Sequence, residues 1–350
     1  MSFANALYDG LFADGDMAAL WDADAQIAHM RAFEAAFSRA MGQAGRFDET
    51  LAKRAADHIA RCPIDAAALS AGSASDGLPV PALIKRLKSG AGDAAGAIHT
   101  GATSQDVLDT ALALTLQATT DLIDSRLATL AADLAGLADR FGAHPLMGRT
   151  RMQAALPVTV ADRIRLWRAP LVDHRARLDL ARAQVERLSL SGPTGTGDFT
   201  DVAGPMAQVL GLTAAPLSWH TDRSGIVAYA GLLALITGSL GKMGQDVALM
   251  AQQGIAEVTI AGGGTSSAMA HKQNPILAEL LVTLARFNAG QAGLMQQAMV
   301  HEQERSGAAW ALEWMVLPLM TQATGRALTA AIDLTGRITA MGASEPHKTV

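Results

Sequence analysis

The chain is 350 residues long, half of them hydrophobic but only 4% aromatic, with a net charge of −5. That length supports a large core and suits two domains, and the mild charge, without a long single-sign block, points away from nucleic-acid and membrane-surface binding. The single cysteine, Cys62, excludes an intramolecular disulfide framework and fits a reducing cytoplasm; with no basic segment followed by an apolar run at the start, no signal peptide is expected.

The apolar residues are mainly Ala, Leu, Val, Ile and Met, and among them Ala, Leu and Met favour helix. The first hundred residues read as helical segments at about 17–43 and 48–60, then a glycine- and serine-rich stretch at 70–79. Pro79 and Pro81 precede a short apolar helix at about 81–88, and Gly90 to Gly96 form a loop. Long helices follow at about 105–141, 158–189, 221–256, 273–304 and 307–340. On the first, Ile123, Leu127, Leu130, Leu134, Leu137 and Phe141 alternate in steps of three and four, as do Leu233, Ile236, Leu240, Met243, Val247 and Met250 on the third. Such spacing gives each helix one apolar stripe and favours shallow-angle packing. Pro170 and Pro318 are expected to kink or break their helices. The uncharged run Ser224 to Gly241 is marginal for a span of ~20 residues and is diluted by glycine, serine and threonine, so it reads as a fully buried bundle helix. The expected fold is all-α: an N-terminal helical domain over 1–98, a long up-and-down helical bundle over 99–340 that also carries oligomerisation, and a short tail over 341–350.

Four segments concentrate polar chemistry. Gly262-Gly263-Gly264-Thr265-Ser266-Ser267-Ala268-Met269-Ala270-His271-Lys272-Gln273-Asn274-Pro275 joins a triple glycine to two serines, a lysine and an asparagine. Asn274 and Pro275 suit the cap and first turn of the following helix, and a polar loop feeding a helix N-terminus can close on an anion. His99-Thr100-Gly101-Ala102-Thr103-Ser104-Gln105-Asp106 enters a helix where Thr103 or Ser104 can cap and Asp106 complements the dipole. Gly148-Arg149-Thr150-Arg151-Met152-Gln153-Ala154-Ala155-Leu156-Pro157 and Trp219-His220-Thr221-Asp222-Arg223, each taken alone, read as solvated basic turns. Residues 191–198 look superficially like a phosphate loop but lack its lysine and a preceding strand. The nine histidines are scattered without metal-ligand spacing, so neither metal nor cofactor is expected.

Taken together and in their order along the chain, the four segments resemble the fumarase/aspartase/argininosuccinate lyase superfamily over nearly the whole chain. The fourteen-residue loop ending in Lys272, Asn274 and Pro275 resembles its mobile loop, usually G-S-S-x-M-P-x-K-x-N-P. The resemblance implies a cytoplasmic homotetramer of long-helix subunits, each active site shared between subunits and acting on a small polycarboxylate. It also implies Ser266 as the catalytic residue. Ser267, Lys272 and Asn274 would be substrate-binding loop residues, and His99, Thr103, Ser104, Gln153 and Arg223 would line the pocket. Thr265 and Ala270 depart from the loop's usual glycine and proline.

The largest departure is Arg151, which stands where amine- and water-eliminating members carry histidine in G-R-T-H. Expelling an amine or hydroxide calls for a proton donor, whose contribution is typically ~10²–10⁴-fold. A carboxylate leaving group, with an unperturbed pKa of ~4, departs without one. The residues therefore point to the lactone-forming branch, where Arg151 binds a substrate carboxylate in bidentate fashion and Glu279 orients it. An adenylosuccinate lyase-like β-elimination is the alternative enzyme reading, and a non-catalytic helical scaffold is the remaining one.

Overall fold

The computed structural model describes residues 6–265, 269 and 273–342, and its architecture is all-α with four minimal two-stranded sheets among those residues. Ser266, Ser267 and Lys272 lie outside them. The N-terminal part holds α1 (Asp9–Phe12), α2 (Gly15–Leu20), α3 (Ala23–Gln43), α4 (Glu49–Arg61), α5 (Ala66–Asp76) and α6 (Val80–Lys88). Aspartates start four of these helices: the side chains of Asp14, Asp22, Asp48 and Asp65 each accept a first-turn amide. The glycine- and serine-rich stretch largely belongs to α5, because Gly72 lets that helix lie against Ala82 and Gly77 ends it at φ 78°.

The bundle follows as α7 (Ser104–Phe141), α8 (Val160–Val185), α10 (Ser224–Met250), α11 (Ile276–Gln297) and α12 (Ala308–Arg337), with the short α9 (Thr200–Leu210) inserted between α8 and α10. The six predicted stripe residues of α10 are all buried; on α7 five are buried and Phe141 packs at the margin. Pro170 and Pro318 sit inside α8 and α12 without ending either helix. Helix α10 is apolar and long enough to cross a membrane, yet 61% of its most apolar window is buried inside the bundle, where α8, α11 and α12 surround it. A second cluster joins α3–α6 to the head of α7, and recruits Phe199, Val202, Met206 and Ala207 from the α9 segment.

Two expectations are corrected. Helix α11 stops at Gln297, short of 304, because residues 298–307 turn away and Gln303 takes a positive φ of 47°. Arg305 then reaches across to the head of α7, a tertiary demand that overrides helical propensity. Asn274 is not the cap of α11. It sits in β7 (Gln273–Asn274), paired antiparallel with β6 (Gly264–Thr265), while Pro275 occupies the cap position. Residues 148–157 do hold a solvated turn, Arg151-Met152, but at the tip of an antiparallel hairpin that the sequence reading did not expect, formed by β1 (Pro145–Thr150) and β2 (Gln153–Thr159).

Helices α10 and α11 meet at glycines. A Cβ on Gly244 would lie 2.5 Å from the Ala278 carbonyl oxygen and 2.8 Å from Leu281 Cβ. Overpacking of this kind costs about 1–3 kcal/mol. Gly244→Ala should therefore destabilise the protein by about that amount in denaturant titration, with an unchanged m-value.

Candidate active site

The head of α7 is a polar hub built from buried groups. Asp106 is wholly buried and its carboxylate accepts four hydrogen bonds. Oδ2 takes the Thr103 and Gly192 amides at 3.0 Å each, and Oδ1 takes the Ser191 amide at 2.8 Å and His220 Nε2 at 2.9 Å. Such matching is what a desolvated carboxylate requires. It fixes the glycine loop 191–197 and the segment around His220 to the start of α7, with Thr103 in the N-cap position. Gly192 and Gly195 adopt φ of 72° and 74° in that loop, conformations glycine takes without steric penalty.

One turn on, Asp109 grips Arg223 with two bonds of 2.8 and 3.0 Å, and Glu313 grips its other edge at 2.6 and 2.8 Å. The guanidinium is fully buried over Trp219, 5.0 Å from the ring centre. Burial opposes the cation, but its two carboxylates more than offset this and hold the Arg223 pKa above its ordinary value. The acids share one cation unequally. Burial pushes Asp109 above the usual carboxylate range despite Arg223; Glu313 resists its own burial because His301, 3.6 Å away, and Arg223 pull it below that range. The segment 219–223, read from sequence as a solvated turn, is thus a buried anchor: Trp219 and His220 are buried as well.

Arg305, which falls in the short gap between the helices expected at 273–304 and 307–340 and was given no role from sequence, lies over this hub. Its Nε donates to Gln105 Oε1, and Nη2 donates to Thr103 Oγ1 and to the Pro193 carbonyl. Gln105 in turn donates to the His220 carbonyl and Asp109. The signal was present in residues 301–306, where charged groups follow one another without helical spacing of apolar ones. His99 stands beside the same helix entry at φ 61°, its Nδ1 2.6 Å from Glu34 Oε1. Ser104, half-buried, is the first residue of α7.

Arg151 and Gln153 are elsewhere. They occupy the exposed tip of the β1–β2 hairpin, where Thr150 pairs with Gln153 across the two-residue turn Arg151-Met152. Both turn residues have positive φ, 49° and 67°, a conformation that costs L residues ~1–2 kcal/mol each. Among the described residues no ion pair joins Arg151 to Glu279, which lies exposed on the first turn of α11. Close to the tip, Arg149 ties the hairpin to Glu257 at 2.7 and 2.8 Å, next to β5 (Val258–Ile260), which pairs with β8 (Ile338–Met341).

From this end springs the glycine loop. Arg337 donates to the Gly262 carbonyl, and a Cβ on Gly264 would meet Ile276 at 2.5 Å. The triple glycine is therefore a packing requirement as much as a flexible link. Asn274, paired with Gly264, closes the neck of the loop, beside a cavity of about 160 Å³ lined by Gly262–Gly264, Asn274–Leu277 and Arg337.

Helix α7, with 38 residues at a rise of 1.5 Å each, separates its head from the hairpin that follows its tail by about 55 Å. His99, Thr103, Ser104, Arg223 and Arg305 thus gather at one end of the protomer. Arg151, Gln153 and the neck of the serine loop gather at the other.

A sequence profile of a family described as "Lyase" matches residues 18–289. The chain is 35% identical to a 3-carboxy-cis,cis-muconate cycloisomerase from Pseudomonas aeruginosa, over 95% of this chain and 75% of that relative. It is 34% identical to a nitrosuccinate lyase from Streptomyces davaonensis, over 91% of this chain and 71% of the relative. The crystal structure of the 3-carboxy-cis,cis-muconate lactonizing enzyme from Pseudomonas putida superimposes with a TM-score of 0.89 at 33% identity, covering 96% of this chain and 77% of that one. The chain belongs to this lyase family, as its four motif segments led us to expect. It is an all-helical enzyme of the fumarase/aspartase fold, similar in sequence and structure to its lactone-forming members.

Replacing Arg223 would leave Asp109 and Glu313 buried without their shared cation, a change that costs about 3–5 kcal/mol. Arg223→Met should lower stability by about that amount in urea titration, whereas Arg223→Lys should recover only part of it because lysine cannot grip two carboxylates side by side.

Proposed function

We propose that the chain is a 3-carboxy-cis,cis-muconate cycloisomerase, adding a carboxylate intramolecularly across a conjugated diene to give 4-carboxymuconolactone in protocatechuate breakdown. The observation that carries this reading is Arg151, set in an exposed and strained turn where lyases that expel amines or water carry an acid-base histidine. A residue held at positive φ whose side chain has no partner among the described residues is one whose conformation suits a use outside its own hairpin. Guanidinium offers two parallel donors to a carboxylate but no proton. It suits a reaction whose leaving group, in the lactone-opening direction, is itself a carboxylate.

The two ends of the protomer cannot form one site, since α7 holds them about 55 Å apart. Each site therefore combines segments of different copies, within a cytoplasmic homotetramer that uses the bundle helices as its common core. In that site Ser266 exchanges the proton at the carbon alpha to a carboxylate. Ser267, Lys272 and Asn274 stabilise the aci-carboxylate charge that develops there. His99, Thr103, Ser104, Gln153 and Arg305 hold the remaining carboxylates, and Glu279 steadies Arg151 from another copy. Arg223 acts from behind, as the buried strut of the wall that carries Thr103.

A second reading is favoured by the similarity to nitrosuccinate lyase: β-elimination of another weakly basic group, which also needs no acid. An adenylosuccinate-type substrate fits less well, because its amine leaving group needs a proton that Arg151 does not supply.

The deciding measurement is loss of diene absorbance on incubation with 3-carboxy-cis,cis-muconate, set against release of nitrite from nitrosuccinate. Turnover of the first and not the second is expected. Ser266→Ala should lower kcat by about 10²–10⁴-fold, the usual contribution of a proton-transfer group, without moving the unfolding midpoint; turnover within a few-fold of the parent would remove Ser266 from the mechanism. Arg151→Ala should raise KM about tenfold or more through loss of a charge-assisted bond, again with unchanged stability.

A further inference from the structure

Helix α3 holds the entry to α7 at two points one turn apart. Ser38 Oγ donates to the Ala97 carbonyl at 2.8 Å, and Glu34 Oε1 lies 2.6 Å from His99 Nδ1. Glu34 is wholly buried in an apolar cluster that includes Phe33, Phe37 and Ile98, and its other oxygen, Oε2, has no hydrogen-bond partner among the described residues. A buried carboxylate with an unmatched oxygen is costly and serves stability poorly. His99 bears the complementary cost: its backbone is left-handed at φ 61°. Its ring remains 17% exposed, and Nε2 has no partner among the described residues. Two unfavourable features that meet in one short hydrogen bond point to a purpose at the outer edge of that ring.

We propose that Glu34 is the positioning residue of His99, and that the pair presents Nε2–H to a substrate carboxylate. Two proton arrangements of the pair give Nε2 this role. If Nδ1–H donates to an ionised Glu34 while the ring carries both protons, Nε2 is a donor. If a protonated Glu34 donates to Nδ1, Nε2 again carries the hydrogen. In either arrangement two protons are shared between the groups, one inside the 2.6 Å bond and one facing outward; with one proton only, Nδ1–H would face Glu34 and Nε2 would turn a lone pair outward, which a carboxylate repels, so an anionic ligand draws the pair into the two-proton state. Without Glu34 the ring is free to turn and to present a lone pair, which repels a carboxylate. Burial of the glutamate keeps water from competing for Nδ1, so the orientation is fixed before substrate arrives, as a carboxylate behind a metal-bound histidine fixes its ligand nitrogen.

This inference rests on the reading that His99 lines the polycarboxylate site, and its test separates the two. Kinetics on 3-carboxy-cis,cis-muconate would be measured for the parent, Glu34→Leu, His99→Asn and the double variant. Glu34→Leu should raise KM about tenfold, the scale of one lost charge-assisted bond, with kcat within a few-fold. It should add nothing to His99→Asn, because a residue acting only through another is silent once that other is gone. Glu34→Gln, which can still hydrogen-bond the ring, should recover part of the loss. Unchanged KM in Glu34→Leu, or effects of the two substitutions that simply multiply, would overturn the proposal. Absence of turnover by the parent protein would overturn the cycloisomerase reading instead. The pair then stands or falls on nitrogen-15 spectra of histidine-labelled protein, with the His99 signals assigned by their loss in His99→Asn. Glu34→Leu should shift the Nδ1 signal of His99, and identical spectra would show that Glu34 does not set the state of the ring.

Discussion

Desolvated carboxylates on the first turns of α7 set the terms for the rest of the site. Asp106 has no water to pair with, so the amides of residues 103, 191 and 192 and the imidazole of His220 must converge on it. Asp109 must find a cation, and Arg223 can reach it only if the segment 219–223 folds inward under Trp219. That cation then draws Glu313 from α12. One helical turn thereby fixes the relative positions of four chain segments far apart in sequence, with side chains whose conformations are over-determined by their partners. Preorganisation of this kind suits catalysis, since donors already in place need not reorganise during the reaction.

The same helix that organises this hub also holds it far from the hairpin and the glycine loop. An α7 of ordinary length would have let one protomer fold its hairpin and glycine loop back on the hub. At 38 residues it cannot. The bundle is thus a spacer as well as a core: α7, α10 and α12 run from the hub toward the loop end, and α8 and α11 run back. The polar groups at each end are held at a fixed separation.

Much of this fold was legible in the sequence because helical periodicity is local. The stripes of α7 and α10 and the five long helices follow from spacing alone, and the specific loop from Gly262 to Pro275 identified the family. What escaped reading depended on partners distant in the chain. Residues 219–223 look solvated until Asp109 and Glu313 are placed beside Arg223. Arg305 looks like an idle residue between two helices until Gln105 and Thr103 claim it, and Asn274 looks like a cap until Gly264 pairs with it. The β1–β2 hairpin escaped for a different reason. Its outer strand is exposed along most of its length, so no alternation of apolar and polar residues marks it.

The hairpin tip carries a consequence for how such a protein changes over generations. Asn-Gly is the pair that a two-residue turn of this sort prefers, and it would relieve the strain that Arg151 and Met152 impose on their own backbone. A search for thermal robustness alone would drift toward that replacement and discard the guanidinium. If Arg151 serves the substrate as proposed, the hairpin is a place where heat tolerance and usefulness pull in opposite directions.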